Sequence, residues 1–144
     1  MPPFRFRLAK ALEWYGERCR FEEDRLREKI AALNHIGAEL VRASEARLIV
    51  ESELLQTAVL PAAELLALSR YRRRAMQDER RLAEERIRCE RERDVQLVAV
   101  QAARQHVRLI EKIRERKLTE YTVEADRELE ELAADAFRSA HFAG

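Results

Sequence analysis

The sequence predicts an all-α protein, an antiparallel two-helix coiled-coil hairpin whose longer second helix overhangs at the C-terminus. Three observations carry that reading. Charged residues make up 38% of the 144 positions, while the chain holds only three Gly and three Pro. Leucines recur at seven-residue steps through the first third of the chain. One proline, Pro61, is the only one beyond the first three residues. An Ala/Glu/Leu/Arg-rich chain so poor in turn formers cannot double back often enough to build a multi-layer core, and reads as long helix or coiled coil.

The first helix is expected from about Leu8 to about Ala58. Leu12, Cys19, Leu26, Leu33, Leu40 and Leu54 form one heptad row, broken only by Arg47. A companion row runs through Tyr15, Ile30, Ile36, Ala43, Val50 and Ala58, with Glu22 and Glu23 leaving a gap. Its drift between steps of three and four points to a loosely wound coil. The bend belongs at about 59–62. Pro61 removes an amide donor and clashes with the preceding turn, yet suits the first turn of a new helix. A kinked continuous helix is the alternative reading of a lone proline.

The second helix is expected from about 62 to about 137, the whole chain making a single coiled-coil domain. Leu65, Leu68, Ala75, Leu82 and Cys89 begin its apolar row. Val100, Ala103, Val107, Ile110, Leu118, Tyr121, Ala125, Leu129, Leu132 and Ala136 continue it. Between Tyr71 and Asp94 the chain is dense in Arg and Glu of alternating sign, the pattern of a solvated face laced with ion pairs. With the bend near 60, position i should face roughly position 121 − i, an expectation set by helix rise alone. The two cysteines then lie about 20 Å apart along the axis, too far for a disulfide. Residues from about 114 to about 137 are left with no intramolecular partner. That stretch is apolar at Tyr121, Val123, Leu129, Leu132 and Phe137, and acidic at Glu120, Glu124, Asp126, Glu128, Glu130, Glu131 and Asp135. A lone helix of this length is marginal in water, so it reads as a docking helix, with a fraying terminus as the alternative.

Several function classes are excluded or disfavoured. Lys and Arg total 28 against 27 Asp and Glu, a balance that argues against a dedicated nucleic-acid binder or a polybasic membrane anchor. The opening residues carry no signal-peptide core, and no run of about 18 apolar residues could span a bilayer, so the cytoplasm is expected. Neither cysteine has a second Cys or His at ligand spacing, and no metal or other cofactor is expected. No phosphate-binding glycine loop or nucleophile motif is present. His35 and Glu39 share a helix face, which reads as a surface contact. A two-helix rod encloses no pocket, so the expected role is holding partners, not enzyme chemistry.

The two ends carry a resemblance. Phe4-Arg5-Phe6-Arg7-Leu8, followed by Leu12-Glu13, resembles the opening of the flagellar FliJ family, where a Phe-x-Phe-Arg-Leu stretch leads into the first helix. Glu115-Arg116-Lys117, Glu120-Tyr121 and Arg127-Glu128-Leu129-Glu130-Glu131-Leu132-Ala133 are similar to that family's closing stretch. Arg127 stands where the family commonly has Lys, and Glu130 where it has Asp; both keep the charge. The two ends cover about a quarter of the chain, and the middle agrees in pattern and length only.

The resemblance implies a function. FliJ-like proteins and their virulence-system relatives are coiled-coil stalks of type III export machines, similar to the γ stalk of rotary ATP synthases. It implies that both chain ends enter the pore of the hexameric export ATPase. Phe4, Phe6, Leu8, Tyr121, Leu129 and Leu132 would make apolar contacts there, and Arg5, Arg7, Glu128, Glu130 and Glu131 would set register by charge. The hairpin region would meet the cytoplasmic domain of the export gate through Leu60, Leu66, Tyr71 and Met76. Export chaperones are implied as further partners, and the membrane is approached only through partners. A monomer is expected, since the hairpin satisfies its own seam. The alternative is a structural scaffold or an export chaperone with no ATPase coupling. A scaffold filament should show unbroken rows and equal arms, whereas a chaperone would bind helical cargo along the same apolar stripe.

Overall fold

A computed structural model describes residues 1–57 and 59–143. Ala58, expected as the end of the first helix, lies outside the described residues. The chain is all-helical: α1 spans Ala9–Leu55 (47 residues) and α2 spans Ala62–Ala143 (82 residues). Both arise for the expected reason, long stretches free of proline and rich in Ala, Leu, Glu and Arg. Gly16 and Gly37 are accommodated inside α1 without positive φ.

Helix α1 stops at Leu55, where a turn follows and the Thr57 amide donates to the Leu54 carbonyl at 3.2 Å. Pro61 then acts as the starter of α2. Its carbonyl accepts from the amides of Glu64 (3.0 Å) and Leu65 (3.1 Å), while its missing N–H costs nothing at a helix start. At the other end α2 runs past the expected 137 to Ala143, because Ala133-Ala134-Asp135-Ala136 and the residues after it contain no breaker.

The chain divides into two compact units. The unit of residues 22–100 is an antiparallel helical pair with the connection inside it. Its seam is a stricter heptad than the sequence suggested. The row Leu26, Leu33, Leu40, Arg47 and Leu54 is buried or half-buried throughout. The companion row proves to be Glu22, Lys29, Ile36, Ala43 and Val50, whereas Ile30 is exposed. Glu22 fills the supposed gap: it is buried, and the side-chain amide of Gln96 donates to its carboxylate at 2.6 Å and to its carbonyl at 3.0 Å. Lys29 reaches Glu92 at 3.4 Å. On α2 the matching row is Leu68, Ala75, Leu82, Cys89 and Gln96, with Val100 at 0% exposure the most enclosed side chain. The coil is thus regularly wound, with polar pairs standing at positions where apolar residues were sought.

The second unit joins residues 1–21 to residues 101–144. Here Cys19 and Ala103 are buried, Leu12, Val107 and Ile110 half-buried, and the Tyr15 ring lies 5.4 Å from that of His106. The pairs Tyr15–His106 here and Lys29–Glu92 in the other unit fall on the expected pairing, whereas Glu22–Gln96 and Arg47–Glu79 depart from it by three and five positions. Cys19 and Cys89 are both buried and are not joined by a disulfide.

Candidate functional site

Residues 1–6 have no regular structure, and a turn at 7–8 leads into α1. Pro2 and Pro3 explain this: each lacks an amide donor and pushes its predecessor out of the helical region. In an extended segment alternate side chains share a side. Phe4 and Phe6 are accordingly half-buried while Arg5 and Arg7 are exposed. The Phe6 carbonyl accepts from the Ala9 amide at 3.1 Å, and the Leu8 carbonyl from the Leu12 amide at 2.9 Å, which starts α1.

This segment lies along α2. The Tyr121 hydroxyl donates to the Pro2 carbonyl at 2.7 Å, and the Phe4 and Tyr121 rings sit 5.5 Å apart at 57°. A shallow groove is lined by Phe4, Phe6, Leu8, Ile113, Lys117 and Tyr121. Glu128 faces the Met1 ammonium at 3.8 Å. The expectation that residues from about 114 onward lack an intramolecular partner is therefore wrong for the stretch up to Glu128. The sequence signal for this contact is Pro2-Pro3, which keeps the segment out of a helix, and the period-two phenylalanines, which give it one apolar side.

Beyond Glu128 the large apolar side chains are exposed. Leu129 is 63% exposed, Leu132 60% and Phe137 72%. Glu130 and Glu131 border a shallow surface with Arg127, Asp135 and Arg138, all exposed. Of the residues named for the chain ends, the structure thus brings together Phe4, Phe6, Leu8 and Tyr121. Leu129 and Leu132 stand apart on the bare continuation of α2.

The residues named around the bend form no single surface. Leu60 is half-buried, and Leu66, Tyr71 and Met76 are exposed. Five-residue steps turn each about 140° from the last around the helix. Met76 borders a groove with Leu40, Arg72, Arg73, Glu79 and Arg80. Next to it is a charged cluster that sequence reasoning missed. Arg47 Nε donates to both Glu79 carboxylate oxygens at 3.0 Å, and its Nη1 to Glu51 at 3.1 Å. Arg72 approaches Glu51 at 3.2 Å. The hydrogen bond to Glu79 foremost, then that to Glu51, raises the Arg47 pKa further above its already high value. His35 Nε2 meets Glu39 at 3.0 Å on the exposed face of α1.

Among the described residues no group of three or more His, Cys, Asp or Glu is placed to hold a metal ion, and no helix is long and apolar enough to cross a membrane. No protein-family profile, curated protein or solved structure matches the chain.

The tie between the N-terminal segment and α2 leads to a specific expectation. Tyr121→Ala removes both the hydroxyl donor and the ring beneath Phe4, together about 1–3 kcal/mol of local holding energy. Trypsin should then cut after Arg5 and Arg7 about tenfold faster, with helicity by circular dichroism unchanged. An unaltered cleavage rate would show that Tyr121 does not hold the segment.

Proposed function

We propose that this chain is a non-enzymatic stalk and coupling component of a flagellar or related type III export apparatus. It binds the hexameric export ATPase through residues 4–8 and 121–132, and the export gate through the region around its helical connection. One observation supports this reading above the others: the two stretches that resemble the FliJ family are distant in sequence, yet Tyr121 joins them at Pro2 and Phe4.

Physical chemistry gives the joined surface a purpose. Past Glu128 the helix presents exposed Leu129 and Leu132 flanked by Glu128, Glu130 and Glu131. Burying the two leucines against a partner is worth about 1.5–3 kcal/mol each, and the carboxylates select a basic surface around them. A single asymmetric ligand in a six-fold ring touches its subunits unequally, and unequal contacts shift the ring's assembly or nucleotide state by differential binding. The protein does no chemistry itself, works in the cytoplasm as a monomer, and reaches the membrane only through its partners.

The test is co-sedimentation of the full chain with the export ATPase in its hexameric state. Co-migration that is lost in Leu129→Ala/Leu132→Ala supports the reading. Binding to several unrelated export substrates without binding to the ATPase would replace it with an export chaperone.

A further inference from the structure

We propose that the Arg47–Glu79 pair is the register key of the helical pair, the contact that allows α1 and α2 to meet in one alignment only. The inference is independent of the partner the protein binds.

The apolar rows alone leave the alignment open. Ile36, Ala43 and Val50 of α1 stand in a row matched by Leu68, Ala75, Leu82 and Cys89 of α2, all at seven-residue steps. A slip of one heptad leaves apolar residues facing apolar residues along that row. Arg47 removes the ambiguity. It occupies a leucine position of its row, its side chain is 19% exposed, and that of Glu79 is 14% exposed. Seven residues to either side of Glu79 stand Arg72 and Arg86. A slip in either direction therefore sets a partly buried guanidinium against an arginine and leaves Glu79 beside Leu40 or Leu54. Desolvated like charges and an uncompensated carboxylate are both costly, which is how one polar seam residue specifies register in coiled coils. Glu22 reinforces the choice, because the same slips replace Gln96 by Ala103 or Cys89 opposite its side chain.

A paired α1 from another copy is opposed by the same residues. In a parallel, in-register α1 pair, Glu22, Lys29 and Arg47 would each face themselves across the seam. In the observed pair they meet Gln96, Glu92 and Glu79.

The test reverses the key. Arg47→Glu repels Glu79 and attracts Arg72 or Arg86, so it favours a slipped alignment. Nitroxide labels at Ala31→Cys and Arg80→Cys, both exposed, report the alignment by pulsed electron paramagnetic resonance; the buried Cys19 and Cys89 are poor targets for labelling. In Arg47→Glu a second distance should appear, displaced along the axis by about 10 Å, one heptad of helix rise. The full reversal Arg47→Glu/Glu79→Arg/Arg72→Glu/Arg86→Glu, the exchanged protein, again offers the residue at 47 one opposite charge flanked by two like charges, and should restore the single original distance. If Arg47→Glu fails to fold, recovery of fold and distance in the exchanged protein supports the key. A single original distance in Arg47→Glu, or an exchanged protein that stays slipped or unfolded, would overturn it.

Discussion

Ending the chain after Leu118 should abolish the proposed binding to the export ATPase while the pair formed by residues 22–100 stays folded. The truncation removes exposed Leu129 and Leu132 together with the carboxylates around them, and it also removes Tyr121, which holds the N-terminal segment. Two leucines at about 1.5–3 kcal/mol each correspond to a loss of affinity of at least 100-fold. The seam residues from Glu22 to Val100 are untouched, so cooperative thermal melting should persist. The full-length Tyr121→Ala variant separates the two contributions, because it frees the N-terminal segment and keeps both leucines. An affinity unchanged by the truncation would remove residues 119–144 from the interface.

The second large effect lies in the seam. Gln96→Leu deletes the amide that donates to the buried Glu22 carboxylate at 2.6 Å, at a cost of about 1.5–3 kcal/mol for a hydrogen bond to a charged group. Adding Glu22→Leu should recover all of that loss or exceed it, because an apolar pair of similar volume commonly replaces a buried polar pair without penalty. A double-mutant cycle by thermal denaturation reads the coupling directly. Two independent, additive effects would show that Glu22 and Gln96 do not act as a pair.

Much of this architecture was legible in the residues, and the failures have physical causes. The row from Leu12 to Leu54 marks the α1 seam because repeated leucines have no other reason to keep a seven-residue step. Pro61 marks the break because a proline within a long helix disrupts its backbone bonding. Glu22, Lys29 and Gln96 were hidden by their polarity: a search for apolar periodicity reads a polar seam residue as a gap, and Ile30 beside Lys29 drew the row one position off. Their partners, 63 to 74 residues away in sequence, become visible only once the helices are laid together. Arg47 stands in the sequence as a break in the row, and its contact is hidden for the same reason. The N-terminal segment was recognised for its residues and not for its position, since extended chain makes no local hydrogen-bond pattern and its anchor is Tyr121, on the other side of the connection.

The central claim is that this chain couples to an export ATPase, and the direct measurement is ATP hydrolysis by that ATPase as the chain is titrated in, with particle size followed by light scattering. Turnover that rises together with a hexamer-sized particle, and fails to rise with the chain ended after Leu118, is the result expected. A folded, helical chain that changes neither turnover nor particle size would contradict the account, leaving a coiled coil that holds some other partner.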